Sequence, residues 1–220
     1  MKQDLNSRIH DCDNPADSVT VIMESAFPLI HPLIRDFRLQ YPHIKIKCLQ
    51  MPIPDSQQDF RANLMIQIAS QPAQAENSAT LFKTRLSLAF SADHPLSHRL
   101  FLDLDEVRGE EFILPSHNQD LRRAIDAYFK LVDYTPNIPI EVDNPRLLRK
   151  LVASNTGISL LLPAIIKPEN EEELCLVPLR QPEGTLYMNL HWNQGEWLSP
   201  AARSLRDYIL AYFRVSPNTP

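Results

Sequence analysis

Hydrophobic and polar residues along the chain follow two alternating periodicities, which predict strands and helices in turn. Residues 19–23 form a short apolar run, and apolar residues then recur every three or four positions up to Tyr41, as in an amphipathic helix. In 44–48, apolar residues alternate with lysines, which predicts a strand with one buried and one solvated face. Further strands are predicted at 64–69, 81–91, 111–114, 140–142, 158–162, 174–179 and 186–192, and further helices at 121–132, 145–152 and 199–213. This alternation predicts an α/β fold with mostly parallel sheets.

The stretch 140–163 carries the clearest local pattern, a strand, a helix and a second strand. Asn144 suits a helix N-cap, and Pro145 suits the first helical position because its missing N–H has no partner to lose there. The run 158–162 is almost continuously apolar, which is typical of a strand covered on both faces. The stretch therefore predicts a parallel βαβ unit. Ligands bind beyond the carboxyl ends of such strands, where Asp143 and Asn144 are expected.

The net charge, the cysteines and the N-terminal residues indicate which partners and which cell compartment the protein has. The net charge of −5 argues against DNA binding by this chain itself, because DNA-binding surfaces are basic. Cys12, Cys48 and Cys175 are far apart and lack the spacing of metal ligands, so we interpret them as reduced thiols. The polar first residues contain no apolar core of a signal peptide, and no stretch approaches the length of a membrane span. We therefore expect a cytoplasmic protein that has no membrane partner.

The motifs of the common enzyme classes are missing, so we expect no enzymatic activity, no cofactor and no metal site. The sequence contains no nucleophile elbow, metalloprotease histidine pair, phosphate loop or dinucleotide fingerprint. Its seven histidines are scattered without ligand spacing. Two acidic groups could suggest catalytic carboxylates, namely Asp103 with Asp105 and the loop 169–173. We interpret both as acidic side chains on solvated loops.

Six landmarks in a fixed order carry a resemblance to a known family. They are FRLQYPHI at 37–44, HPL at 94–96, EFIL at 111–114, the run 140–163, LVPL at 176–179, and Trp192 followed by SPAA at 199–202. In this order and spacing, the segment from about 19 to 213 resembles the effector-binding domain of LysR-type transcriptional regulators. Asn63 departs from the family pattern, which usually has Asp just before the third strand, and this departure concerns the loop rather than the fold.

The resemblance implies a two-lobed fold like that of a type 2 periplasmic binding protein, with two crossover strands joining the lobes. Lobe I would comprise 18–92 and 190–215, lobe II would comprise 93–189, and 1–17 would be the remnant of a linker helix. Such a domain binds a small-molecule effector in the cleft between its lobes and thereby controls transcription. It forms a homodimer, and a tetramer in the full-length protein. DNA would be bound only through a winged helix that is absent from this chain.

The resemblance also implies a set of effector-binding positions at strand ends and helix starts. Hydroxyl groups, amides and the free N–H groups of helix N-termini bind carboxylates and phosphates, so the effector is expected to be a small organic anion. The implied positions are Ser25, Ala26, Phe27, Ser70, Gln71, Ser116, His117, Asn118, Asp143 and Asn144.

Each of these positions also has an ordinary structural interpretation, which the sequence leaves open. Phe27 is equally suited to the core, and His117 to a solvated loop. Helix capping alone explains the residue type at Ser25, Ser116, Asn118 and Asn144.

A dimer contact is the second site that the resemblance implies. The first long helix and the strand after it would lie side by side with those of a second copy, through Ile30, Ile34, Phe37, Ile44 and Ile46. The alternative is an ordinary sheet edge that Lys45 and Lys47 protect from further pairing.

The main alternative function is that of a periplasmic-type solute-binding protein of a transporter. It shares the fold but requires export, and the missing signal peptide argues against it. We therefore favour the small-molecule-sensing regulatory domain.

Overall fold

The computed structural model describes residues 17–23, 27–50, 63–117, 119–165, 174–180, 182–193 and 198–215. Several predictions fall on residues outside these ranges. They concern the linker remnant before residue 17, Ser25, Ala26, Asn118 and the acidic loop 169–173.

The described residues form ten strands, four α-helices and two 3-10 helices. In chain order these are β1 (Ser18–Met23), α1 (Phe27–Gln40), β2 (Lys45–Gln50), β3 (Leu64–Ala69), β4 (Ser78–Arg85), β5 (Ser87–Ser91), a 3-10 helix (Leu104–Val107), β6 (Glu111–Pro115), α2 (Asp120–Leu131), β7 (Asn137–Val142), α3 (Pro145–Ala153), β8 (Ser159–Leu161), a second 3-10 helix (Pro163–Ile165), β9 (Leu174–Pro178), β10 (Thr185–Trp192) and α4 (Pro200–Val215). Strands and helices alternate as predicted, and the four predicted helices are confirmed.

The chain divides into two compact units. The first contains the described residues up to 67, 72–82 and those from 188 onward, and the second contains 68–71 and 83–187. Residues 83–91 therefore group with the second unit, whereas the resemblance assigns them to lobe I. The reason is that β5 pairs with β8 and β9, which both lie in the second unit.

A five-stranded sheet has the order β2-β1-β3-β10-β4, and β1 pairs in parallel with both β2 and β3. All six residues of β1 are buried, as expected for a central strand. In the first unit, α1 and α4 contact each other. The ring centroids of Phe37 on α1 and Tyr208 on α4 are 5.3 Å apart, with the rings edge to face. Leu33 on α1 and Leu205 on α4 are fully buried, so both helices contribute to the core of this unit.

The prediction of one long strand at 81–91 is wrong, because the chain changes sheets in the middle of it. β4 belongs to the five-stranded sheet, and β5 lies between β8 and β9 in a separate three-stranded sheet. The break falls at Leu86, whose N–H donates to the Gly184 carbonyl at 3.0 Å. The residue pattern predicts a strand on both sides of Leu86, so it does not reveal such a change, although β4 is only partly buried and β5 is fully buried.

The second unit has mixed sheets. β5 is antiparallel to β8 and β9, and β6 is parallel to β7. The predicted βαβ unit is present as β7, α3 and β8, but β6 lies between its two strands. A parallel bridge joins Phe112 of β6 to Ile158, and a Cβ atom on Gly157 would lie 2.7 Å from the Glu111 carbonyl oxygen. Glycine at this position therefore permits the close approach of the chain to β6.

His191 on β10 is a histidine buried within the fold. It is 8% exposed, and neither ring nitrogen has a hydrogen-bond partner among the described residues. Burial lowers its pKa, because the charged imidazolium loses its hydration inside the protein. The folded state therefore keeps His191 neutral over a pH range in which the unfolded chain takes up a proton.

This difference predicts that acid destabilises the fold through His191. Above about pH 6.5 the residue is neutral in both states and has no effect on the free energy of unfolding. As the pH falls below that value, the unfolded state gains the proton first, and stability decreases by up to about 1.4 kcal/mol per pH unit. Urea unfolding at several pH values should show a weaker acid dependence for His191→Leu than for the wild type. An acid dependence that is equally steep in His191→Leu and in the wild type would contradict the assignment.

Candidate functional site

The carboxyl ends of β6 and β7 meet in the second unit. Pro115 pairs with Val142 at the last step of the parallel register, and the Ser116 N–H donates to the Val142 carbonyl at 2.9 Å. α2 starts five residues after Pro115 and α3 starts three residues after Val142. Four predicted site residues therefore come together at one edge, namely Ser116, His117, Asp143 and Asn144.

Gln119 ties the two connections at this edge to each other. Its backbone N–H donates to the Ser116 carbonyl at 3.0 Å, which closes a turn after β6. Its side-chain Nε2 donates to the Asp143 carbonyl at 2.9 Å. The backbone between β6 and α2 is thus bonded directly to the backbone between β7 and α3. We define residues 116–119, without the undescribed Asn118, as the β6–α2 segment.

Asn144 is the N-cap of α3, so the structural interpretation of this residue is confirmed. Its Oδ1 accepts hydrogen bonds from the N–H groups of Arg146 at 2.9 Å and Leu147 at 3.3 Å. Pro145 occupies the first helical position, where it has no N–H to offer. The N-terminus of α3 therefore has fewer free N–H donors for an anion than the sequence pattern implies.

Asp120 holds the end of β3 against the start of α2 and was missed by the sequence reasoning. Its side chain is 2% exposed. One carboxylate oxygen accepts from the Leu121 N–H at 2.7 Å, and the other accepts from the Ile68 N–H at 2.9 Å. Ser70 and Gln71 follow two and three residues after Ile68, belong to the same unit, and are exposed. An Asp at a predicted helix start is the signal in the sequence, but its partner is 52 residues away.

Arg122 is the second residue that sequence reasoning missed. Its side chain is 2% exposed, yet it bonds to three separate segments. Nε donates to Asp126 Oδ1 on its own helix, and Nη1 donates to both the Pro115 carbonyl and Glu141 Oε1, each at 2.8 Å. Burial by itself would lower the pKa of Arg122, but the hydrogen bonds to Asp126 and Glu141 raise it above its ordinary value. The guanidinium thus stays charged beneath the β6–α2 segment.

His117 lies on top of this cluster. Its side chain is 70% exposed, but Nε2 is 3.1 Å from Glu141 Oε1 and 3.2 Å from Arg122 Nη2. Nδ1 is 3.8 Å from Asp126 Oδ2. His117 is therefore more than a solvated loop residue, because both ring nitrogens face charged groups of the protein. We call Arg122, Asp126, Glu141 and His117 the Arg122 cluster.

Among the remaining predicted residues, Phe27 and the dimer positions belong to the first unit. Phe27 starts α1 in the first unit, where only its backbone is described. Among the predicted dimer residues, Ile30, Phe37 and Ile44 are buried inside the first unit, whereas Ile34 and Ile46 are partly exposed. Ile30 and Phe37 also belong to the apolar periodicity of this helix, and such periodicity identifies the core-facing side. The dimer contact itself stays a prediction.

Within the described ranges, no group of three or more His, Cys, Asp or Glu side chains is arranged to hold a metal ion. None of the helices described is both long and apolar enough to cross a membrane.

The two-unit α/β fold, with polar loops gathered where parallel strands end, is that of a ligand-binding domain. Residues 18–214 match the family model of the LysR substrate binding domain. The chain therefore belongs to this family, as the resemblance predicted.

One curated relative is the uncharacterized HTH-type transcriptional regulator YybE of Bacillus subtilis (strain 168), which is 26% identical over 188 residues. That alignment covers 84% of this chain and 64% of YybE, so this chain spans less than two thirds of the relative's length. Two solved structures share the fold. The effector binding domain of QuiR in complex with shikimate has a TM-score of 0.74 at 21% identity, with 90% of this chain and 97% of that one covered. The regulatory domain of Synechocystis PCC6803 CcmR in complex with 2-PG has a TM-score of 0.78 at 20% identity, with the same coverage.

The capping role of Asn144 predicts a defined loss of stability. Asn144→Ala should lower the free energy of unfolding by about 1 kcal/mol, because the N–H groups of Arg146 and Leu147 lose their acceptor. Asn144→Ser should retain most of the stability, since a serine oxygen can cap a helix in the same way. Chemical unfolding of the three proteins measures both effects. Equal stability of the alanine variant and the wild type would contradict the cap.

Proposed function

We propose that this chain is the effector-sensing domain of a LysR-type transcriptional regulator and that it binds a small molecule where β6 and β7 end. The observation that carries the proposal is the convergence of Ser116, His117, Asp143 and Asn144 at that edge in a chain of this family. Ligands of parallel α/β sheets bind beyond the carboxyl ends of strands. Ser70 and Gln71 follow β3 in the same unit and are further candidates.

We propose a small organic anion as the effector. QuiR and CcmR, which share the fold, were solved with shikimate and 2-PG respectively. At this edge the N–H groups of Arg146 and Leu147 already bond to Asn144, and the Leu121 N–H bonds to Asp120. Side-chain donors should therefore bind the anion in place of these backbone groups. The Ser116 hydroxyl and the Asn144 Nδ2 amide are our candidates.

The regulatory mechanism that we propose is a shift between two conformations of the domain. An effector can cause such a shift only if it binds one conformation more tightly than the other. In the complete protein, which we place in the cytoplasm, a winged helix outside this chain would bind DNA, and homodimers would assemble into tetramers. A family of transcriptional regulators gives no reason to expect turnover of the effector, so we propose binding without catalysis.

A ligand screen tests the effector site. We expect at least one small metabolite, from a library that includes shikimate and 2-PG, to raise the melting temperature of this chain by mass action on the folded state. Ser116→Ala and Asn144→Ser should each weaken binding of that metabolite by roughly tenfold or more, because a hydrogen bond to a charged group contributes about 1.5–3 kcal/mol. Isothermal titration calorimetry measures these affinities.

The variants separate ligand contact from helix stability. Asn144→Ser retains a capping oxygen but removes the Nδ2 donor, so a loss of affinity cannot be attributed to the helix end. Ser154→Ala, an exposed serine at the opposite end of α3, serves as the matched control and should bind normally. Unchanged affinity in both site variants would place the effector elsewhere, and a screen without any stabilising metabolite would count against the sensing function.

We propose that the dimer contact uses the exposed side of α1 and β2, since Ile30, Phe37 and Ile44 are buried in the first unit. β2 is the first strand in the order of its sheet, and Ile46 on it is partly exposed. Leu39 near the end of α1 is 79% exposed. An apolar side chain with this exposure is suited to a protein contact when it adjoins other partly exposed apolar residues.

Analytical ultracentrifugation tests this contact. At micromolar concentration we expect the wild-type chain to sediment as a dimer and Leu39→Glu to sediment as a monomer, because a buried unpaired carboxylate destabilises an interface. Leu131→Glu, at an equally exposed leucine of the second unit, should remain a dimer. A wild-type monomer at this concentration would contradict the proposal.

A further inference from the structure

The Arg122 cluster joins four parts of the second unit through one buried guanidinium. Arg122 lies on α2 and bonds to Pro115 at the end of β6, to Glu141 on β7 and to His117 in the β6–α2 segment. A lysine could not replace it, because an ammonium group is a point charge, whereas the guanidinium has five N–H donors in a fixed planar arrangement. The planar guanidinium of Arg122 can therefore hold several segments of the chain in place at the same time.

The contact between Arg122 and His117 restricts the protonation of the imidazole. Arg122 Nη2 and His117 Nε2 are 3.2 Å apart. Guanidinium nitrogens only donate hydrogen bonds and never accept them, so this contact is a hydrogen bond only if Nε2 carries a lone pair. A neutral imidazole then carries its proton on Nδ1, which faces Asp126 Oδ2 at 3.8 Å. In this tautomer Nε2 accepts from Arg122 and the Nδ1 hydrogen faces Asp126, and the one unfavourable neighbour is Glu141 Oε1, which lies 3.1 Å from the Nε2 lone pair.

The opposite tautomer gives Nε2 a hydrogen-bond acceptor but leaves Nδ1 without a donor. With its proton on Nε2, His117 would donate to Glu141 Oε1 at 3.1 Å. The Nε2 hydrogen would then oppose the N–H group of Arg122, and the Nδ1 lone pair would face the carboxylate of Asp126. Glu141 Oε1 also already accepts from Arg122 Nη1 at 2.8 Å. The Nδ1–H tautomer thus matches two of the three charged neighbours, Arg122 and Asp126, whereas the Nε2–H tautomer matches only Glu141. The surroundings of the ring therefore favour the proton on Nδ1.

We propose that Arg122 is a positioning residue of the effector site, which holds His117 as the Nδ1–H tautomer with both ring nitrogens turned toward the protein. The consequence for recognition is that His117 presents its ring, rather than a nitrogen donor, toward solvent and the effector. His117 would then act as a planar wall of the site. The functional part of this inference rests on the proposed effector site, whereas the tautomer is a property of the chain without ligand.

Nuclear magnetic resonance tests the proposal directly. Two-bond nitrogen–hydrogen correlation spectra of the isotope-labelled chain at about pH 8.5, where histidine is ordinarily neutral, distinguish the two tautomers. We expect the signal of His117, identified by its loss in His117→Gln, to show the Nδ1–H form. Free histidine prefers the Nε2–H form, so the expected result is not the default.

Two variants and a control test whether Arg122 determines the tautomer of His117. In Arg122→Lys the Nε2–H tautomer should become populated, because the donor to Nε2 is lost while Glu141 stays available as an acceptor. In Glu141→Gln the Nδ1–H form should persist, so this variant tests the cluster even if Arg122→Lys fails to fold. Arg108→Lys changes an exposed arginine of the same unit and should leave the His117 signal unchanged.

The outcomes separate this inference from the proposed function. A wild-type His117 in the Nε2–H form, or a His117 signal unaffected by Arg122→Lys in a folded protein, would overturn the positioning role whether or not an effector is found. A wild-type Nδ1–H signal that is lost in Arg122→Lys would support it, even if the metabolite screen fails. Failure of the screen alone would reject the effector site and leave the geometry of His117 intact.

Discussion

The parallel pairing of β6 with β7, fixed from below by Arg122, is the interaction on which the candidate site depends. The pairing brings the end of one strand against the end of the other, so that the two following connections lie side by side. Arg122 then bonds to both strands and to its own helix. Moving Glu141 or Asp126 away from Arg122 would leave a buried charge without a partner, which is strongly destabilising. The side chains of this cluster are therefore restricted to this arrangement. The polar groups above it are therefore held in place before any ligand arrives.

The local elements around this pairing could be predicted because their causes are local in the sequence. Asn144 and Pro145 specify the start of α3 by capping and by a fixed backbone angle, and the structure has the cap as predicted. The apolar stripe of α1 specifies a helix with one buried face, and Leu33 and Phe37 are fully buried. The family resemblance rested on such local landmarks in order, and it correctly gave the fold class.

What the sequence could not reveal depends on contacts between distant residues. Asp120 bonds to Ile68 across 52 positions, and Arg122 bonds to Glu141 across 19, and neither pairing leaves a periodic signal. Leu86 separates two sheets within the segment 81–91, so the prediction of a single strand was wrong there. The resemblance placed Ile30 and Phe37 in a dimer contact, and apolar spacing alone does not distinguish a core position from an interface position. Their burial shows that both belong to the core of the first unit.

The central claim is that the effector binds at the edge where β6 and β7 end. The most direct measurement is a backbone amide chemical-shift map of this chain, titrated with a metabolite that stabilises it. We expect the largest changes to fall on Ser116, His117, Gln119 and the start of α3. Large changes confined to other parts of the chain, with these amides unmoved, would contradict it.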